Sequence, residues 1–341
     1  MPHRPLFTLL LGALLAAGLS CREENGGGSS GGAILGTPTV FIPAGILRSP
    51  SGIAVDSRGD VWISDTFNNT IRRFASSGAQ VQTFPGYASP GGMGVDRTTG
   101  GILALVAGSS LLRIDPSTGS ATVFAVLNAQ SVDTTAVYDL FRRSVGRRLM
   151  LPSGFGDVDG STGAAVYVSV LANGNENFVV EVRGGLSKAI AHSSQRMPVE
   201  LGPAAQFMAC NELGDVYSAF YSPVSAGSST HRAFALYPSS IQLSSQMNAV
   251  QVSGAVVGGC YDPAGYLMLA DAAGRQVIAV SVASERIVER HPLPEIAGLV
   301  RPVPVDAAVA PDGSLYVAVR DRFDGTNQPG AVIRYPRNAI R

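Results

Sequence analysis

The chain has 341 residues, 45% hydrophobic and 15% charged, which places it among globular rather than disordered proteins. Its formal net charge is zero, so no long-range field draws it to nucleic acid or to an acidic membrane surface. Gly (40) and Pro (21) stay below the roughly 25–30% of low-complexity chains and fit a fold with many turns.

At the N-terminus Arg4 precedes an apolar run, Leu6–Leu19, that is too short to span a bilayer comfortably. Ala17, Gly18, Leu19 and Ser20 then lead into Cys21. This segment resembles a bacterial lipoprotein signal peptide, although Leu19 stands at −2 where −3 is usual. The resemblance implies that residues 1–20 are removed and that Cys21 carries the lipid. It implies a membrane partner through that lipid and a place in the bacterial cell envelope. Arg22 in place of Asp after the Cys implies outer-membrane sorting in a diderm host. An ordinary signal peptide with a coincidental Cys is the alternative. Residues 21–36 form a tether, since the run REENGGGSSGG can bury too little to offset the entropy of ordering.

The stretch Ser49 to Pro85 reads as four short strands joined by tight turns: Gly52–Asp56, Asp60–Asp65, Thr70–Ala75 and Gln80–Phe84. One such sheet cannot hide both its apolar faces, so copies are expected. The turn after the first strand recurs at Asp56, Asp96, Asp159, Asn211, Asp262 and Pro311, each followed by Gly and an apolar strand. An Asp or Asn opening the turn bonds backbone two residues on, and Gly supplies positive φ. Pro50, Gly52, Ala54, Val55, Asp56, Gly59, Trp62, Asp65, Asn69 and Ile71 together resemble an NHL repeat. The resemblance implies an all-β fold over residues 37–341, a six-bladed β-propeller of four-stranded antiparallel blades.

Two details of architecture follow. The last repeat has strands near Pro304–Ala310, Ser314–Val319 and Ala331–Tyr335, and then lacks a fourth. Thr37–Ile42 is an unclaimed strand that supplies it, clasping the termini together. Between the second and third repeats, Ser131–Leu149 sets Val137, Leu140, Phe141 and Val145 on one helical face, with Asp133 and Thr134 placed to cap it. This predicts a short inserted helix around 133–149, packed on a rim; the alternatives are a basic amphipathic element that touches anionic lipid or a partner through Arg142, Arg143, Arg147 and Arg148, and an irregular loop.

Chemistry is harder to find. Among propeller enzymes, the gluconolactonase and regucalcin group holds a divalent metal at the channel mouth through acidic and amide side chains. The matching positions, five residues before each turn anchor, are Ser51, Gly91, Gly154, Gln206, Val257 and Asp306. One amide and one carboxylate do not make a cation cage, which wants six or more oxygens, so no metal or other cofactor is expected. His192, His231 and His291 fall near outer strands or loops, and no Ser lies in a Gly-x-Ser-x-Gly setting. Asp65 and Asn69 are the best polar pair, read either as rim ligands or as turn caps. The loops Arg320–Gly330, with Arg320, Asp321, Arg322 and Asp324, and Ser222–Thr230 are the polar connections placed for partner contact. Cys210 and Cys260 lie on innermost strands of neighbouring blades, on opposite faces, so their thiols either meet as a disulfide or both point away.

The reading that results is an exported, lipid-anchored propeller that binds a protein or glycan and catalyses nothing. The alternatives are a metal-dependent lactonase-like hydrolase using Asp306 and Gln206, or an envelope polysaccharide-binding protein.

Overall fold

The structure is a computed structural model that describes residues 33–107, 109–127, 132–133, 138–139, 158–160, 165–172, 176–193, 207–211, 216–225, 228–236, 250–253, 255–321 and 328–338. The chain builds an all-β propeller. Its first sheet is Pro50–Val55, Val61–Asp65, Thr70–Phe74 and Gln80–Pro85, in that spatial order. Pro50–Val55 is buried nearly throughout, whereas Gln80–Pro85 is mostly exposed, so the sheet runs from the channel outwards. The second is Met93–Asp96, Gly101–Val106, Ser110–Ile114 and Ala121–Val126.

The third sheet departs from the pattern. Val158–Gly160, Ala165–Ala172, Glu176–Arg183 and Leu186–Ser193 pair antiparallel. Val132–Asp133 and Tyr138–Asp139 then join Leu186–Ser193 in parallel. Asp133, Tyr138 and Asp139 were expected in the helix around 133–149. An isolated amphipathic helix of that length is marginal, and the open edge of Leu186–Ser193 offers backbone partners to a β-branched and an aromatic residue. Residues 140–149 lie outside the described residues.

The fourth sheet comprises Met208–Cys210, Val216–Ser225, Ser228–Leu236 and Val250–Ser253. Ser222–Thr230, expected as a loop, is mainly ladder, with Ser222 opposite Thr230 and Pro223 opposite Ser229. The fifth comprises Val256–Asp262, Tyr266–Asp271, Gln276–Ser281 and Arg286–Pro292. The sixth contains Pro302–Val309, Leu315–Asp321 and Pro329–Tyr335, and its outer strand is Thr39–Arg48 from the other end of the chain. The expected clasp is therefore present and longer than Thr37–Ile42. Ile42 and Leu47 are its buried side chains, packed with Ile53, Val305 and Tyr316, and Phe41 meets Tyr316 edge-on at 4.8 Å.

Each innermost strand touches the innermost strand of the next sheet, and the sixth touches the first. Apolar clusters fill the wedges between sheets. Trp62 stacks on Phe84 at 5.3 Å beside Met93 and Ile102, and Leu103 meets Val158 and Val166.

The turn device works as its residues predict. Asp56 Oδ1 accepts from the N–H of Arg58 and of Asp60, and its Oδ2 accepts from Trp62 Nε1. Gly59, Gly100, Gly265 and Gly313 all have positive φ. Two anchors shift, however. Ala310 N–H bonds to Ser314 O and Gly313 N–H to Ala310 O, as Asp56 and Gly59 do in the first sheet, so Ala310 and not Pro311 opens that turn. Gly160 lies opposite Val166 as Val55 lies opposite Val61, so Asp159 sits inside its strand, two places earlier than expected.

Candidate functional site

The channel has two ends. The chain enters the innermost strands at one, the entry mouth, and the turns lie at the other. The innermost strands bulge at the entry mouth: the ladder skips Ser51, Val257 and Val305. With Ala310 as the turn opener, the position five residues before it is Val305, and Asp306 lies one step deeper. Among the described residues the expected row of metal-binding positions is thus Ser51, Gly91, Val257 and Val305, with one side-chain oxygen. Gln206, Arg322 and Asp324 lie outside the described residues.

Asp306 is only 3% exposed. Its Oδ1 accepts from the backbone N–H of Gly259 (3.0 Å) and Ala307 (2.8 Å), and its Oδ2 from Ile53 (3.0 Å). Burial pushes the carboxyl up to about 8, against the pull of those three donors. A neutral carboxyl whose oxygens already serve three N–H groups is a poor cation ligand. No group of three or more His, Cys, Asp or Glu side chains able to hold a metal occurs among the described residues. Among the described residues the donor set does not fit a divalent ion.

The entry mouth instead carries hydroxyls, between the first and second sheets. Ser51 Oγ lies 2.5 Å from Thr66 Oγ1, 3.1 Å from Ser64 Oγ and 3.0 Å from Pro90 O. Thr66 Oγ1 donates to Pro90 O (2.7 Å) and Ser64 Oγ to Gly91 O (2.6 Å). These residues were not singled out as a group. Ser51 and Ser64 are strand residues and Thr66 opens the 3-10 turn Thr66–Asn68, and only pairing of Pro50–Val55 with Val61–Asp65 beside Pro90 brings them together.

The rim candidates prove to be ties within the fold. Asp65 Oδ1 accepts from Arg48 N–H (2.8 Å) and Oδ2 from Asn68 Nδ2 (2.8 Å), with Arg72 Nε at 3.2 Å. Burial raises its carboxyl, and these three neighbours oppose that. Asp271 accepts from Ala255 N–H, and Asp321 from Val300 and Arg301 N–H, at the corresponding loops of the fifth and sixth sheets. Asn69 is left-handed at φ 52°, and its Oδ1 accepts from Ser89 N–H. Capping and loop-tying therefore account for Asp65, Asn69 and Asp321. Arg320 is lowered by burial to about 10.

Further along, the channel holds a cavity of about 70 Å³ lined by Val55, Val95, Arg97, Asp159, Cys260 and Val309 among others. Arg97 Nη1 donates to Asp159 Oδ1 (2.8 Å), Gly160 O (2.5 Å) and Cys210 Sγ (3.5 Å). Cys210 and Cys260 form no disulfide. The Cys210 sulfur faces the third sheet, whereas Cys260 packs on the cluster of Met268, Ala307 and Leu315 towards the sixth. Of the two arrangements open to them, both thiols point away.

The NHL repeat family matches residues 47–74. A search of curated proteins found no match. Solved structures share the fold. A gluconolactonase from Xanthomonas campestris superposes with a TM-score of 0.58 at 16% identity, covering 88% of this chain and 89% of that one. A luciferin-regenerating enzyme gives 0.56 at 13% identity, covering 89% and 97%. A calcium-binding regucalcin from Agrobacterium tumefaciens gives 0.52 at 12% identity, covering 89% and 94%. The expectation of a propeller without catalysis is corrected by this company, which fits the lactonase-like alternative better.

Proposed function

We propose that the protein is a hydrolase of small cyclic esters that works at the entry mouth of the channel. The observation that carries the reading is the hydroxyl chain of Ser51, Ser64 and Thr66, set at that mouth in a scaffold shared with a gluconolactonase and a luciferin-regenerating enzyme. The protons of these hydroxyls go to Pro90 O and Gly91 O, which leaves lone pairs of Ser51 and Thr66 to accept from the hydroxyls of a sugar lactone. The described residues do not fit a divalent cation there, so no step is assigned to one.

Purified protein offered γ- and δ-lactones in a pH-indicator assay should turn them over above the buffer rate. Ser51→Ala should lower kcat/KM by about tenfold, the usual scale for one lost hydrogen bond. No turnover, with or without added Ca²⁺, Mg²⁺ or Zn²⁺, would refute the reading. Turnover untouched by Ser51→Ala would move the site elsewhere.

We further propose that all six sheets are blades of one six-bladed propeller. The inner strand Val158–Gly160 supports this through its contacts with the inner strands on both sides. The N-terminal pattern supports export and lipid anchoring at Cys21, which would hold the propeller at the cell envelope on its Gly/Ser tether.

A further inference from the structure

Asp306 and Asp159 obey one geometric rule. Asp56 N–H bonds across to the second strand of its sheet, so every other residue before it does the same and the residues between turn their N–H groups to the channel. Ile53, Gly259 and Ala307 occupy one ring of such positions, and Gly160 and Cys210 another ring two residues nearer the turns. Asp306 collects the N–H groups of Ile53, Gly259 and Ala307. Asp159 collects Gly160 (2.9 Å) and Cys210 (3.0 Å). Each carboxyl thus serves the N–H of the residue after it and the matching N–H of the next sheet.

The third partner differs. Asp306 takes Gly259 of the preceding sheet directly, whereas Asp159 reaches the preceding sheet through Arg97, whose side chain is 23% exposed. Asp306 therefore gathers the fifth, sixth and first sheets, and Asp159 with Arg97 gathers the second, third and fourth. Every sheet belongs to one of the two sets and none to both. Asp306 also spans the joint from the sixth sheet back to the first at the inner radius. Thr39–Arg48 spans it at the outer radius.

We propose that these two buried carboxyls are internal locks, each holding three sheets as a unit, so that loss of one loosens its own half of the ring and leaves the other closed. Backbone N–H groups that face a channel would otherwise bond to water and open readily, whereas a fixed acceptor shared between strands resists their separation.

Amide hydrogen exchange on the full-length protein tests this, with Asp306→Ala and Asp159→Ala compared against the parent. In Asp306→Ala the amides of Ile53 and Gly259 should exchange at least about tenfold faster, with Gly160 and Cys210 within about twofold of the parent. Asp159→Ala should give the opposite pattern. Should either alanine variant fail to fold, the Asn variants serve. A carboxamide at 306 keeps one acceptor oxygen for Gly259 and Ala307 but presents an amide to Ile53, so Ile53 should accelerate while Gly259 does not. Uniform acceleration of both sets in every variant, or none in any, would overturn the proposal.

Discussion

Leu47→Ala tests the clasp that closes the ring. Leu47 lies on Thr39–Arg48, opposite Gly330, and is 0% exposed, packed with Ile42, Ile53, Val305 and Tyr316. Truncating a buried leucine removes its transfer free energy and leaves a cavity that rigid strands cannot close, at a cost of about 2–5 kcal/mol. Val40 on the same strand is 45% exposed, so Val40→Ala should stay within about 0.5 kcal/mol of the parent. Unfolding entropy near 2.1 cal/mol/K per residue gives about 0.5 kcal/mol/K for the roughly 230 described residues, so a loss of about 3 kcal/mol lowers Tm by about 6 °C. Thermal unfolding followed by circular dichroism reads this shift, with Val40→Ala as the internal control for strand propensity. Equal Tm values for the two variants would refute the packing of this strand against the sixth sheet. The same reasoning separates two truncations: removal of residues 1–32 should leave Tm unchanged, whereas removal through Ile42 should lower it sharply.

Three other predictions concern charge and sulfur. Cys21→Ala should move the protein from the membrane fraction to the soluble fraction, because no thioether can then form, and unchanged sedimentation would end the lipid-anchor proposal. Non-reduced, denatured protein should take up alkylating reagent at both Cys210 and Cys260. In the native state the half-buried Cys260 should react first, since Cys210 is enclosed and burial pushes its thiol pKa up; a recovered disulfide-linked peptide would contradict the structure. The Asp306 carboxyl is raised to about 8 from 3.8, so its neutral form is preferred in the folded state. Its contribution to stability is complete below about pH 4 and is lost as pH rises towards 8, at up to about 1.4 kcal/mol per pH unit. Urea titrations from pH 5 to 8 should show this slope in the parent but not in Asp306→Asn, and parallel profiles would place the titration elsewhere.

The repeat unit was legible without coordinates because its determinants are local. Asp56 caps its own turn, Gly59 takes positive φ, and VWIS or LYVAV can only be a buried strand. Closure by the N-terminal strand was legible for the same reason, as one strand was missing at one end and one spare at the other. What only the tertiary structure decided is register and edge pairing. Bulges at Ser51, Val257 and Val305 each add a residue to one strand alone, and Ala310 opens a turn without a carboxylate to mark it. Counting from Pro311 therefore placed Asp306 one residue off, and one residue is enough to exchange the two faces of a strand. That slip separates a candidate metal ligand at the mouth from a carboxyl bound by the N–H groups of three sheets. The local pattern at 132–139 likewise allowed a helix until Leu186–Ser193 offered an unpaired edge. Neighbouring residues write turns and strands into the chain, but which acceptor a given N–H finds depends on which sheets the ring brings together.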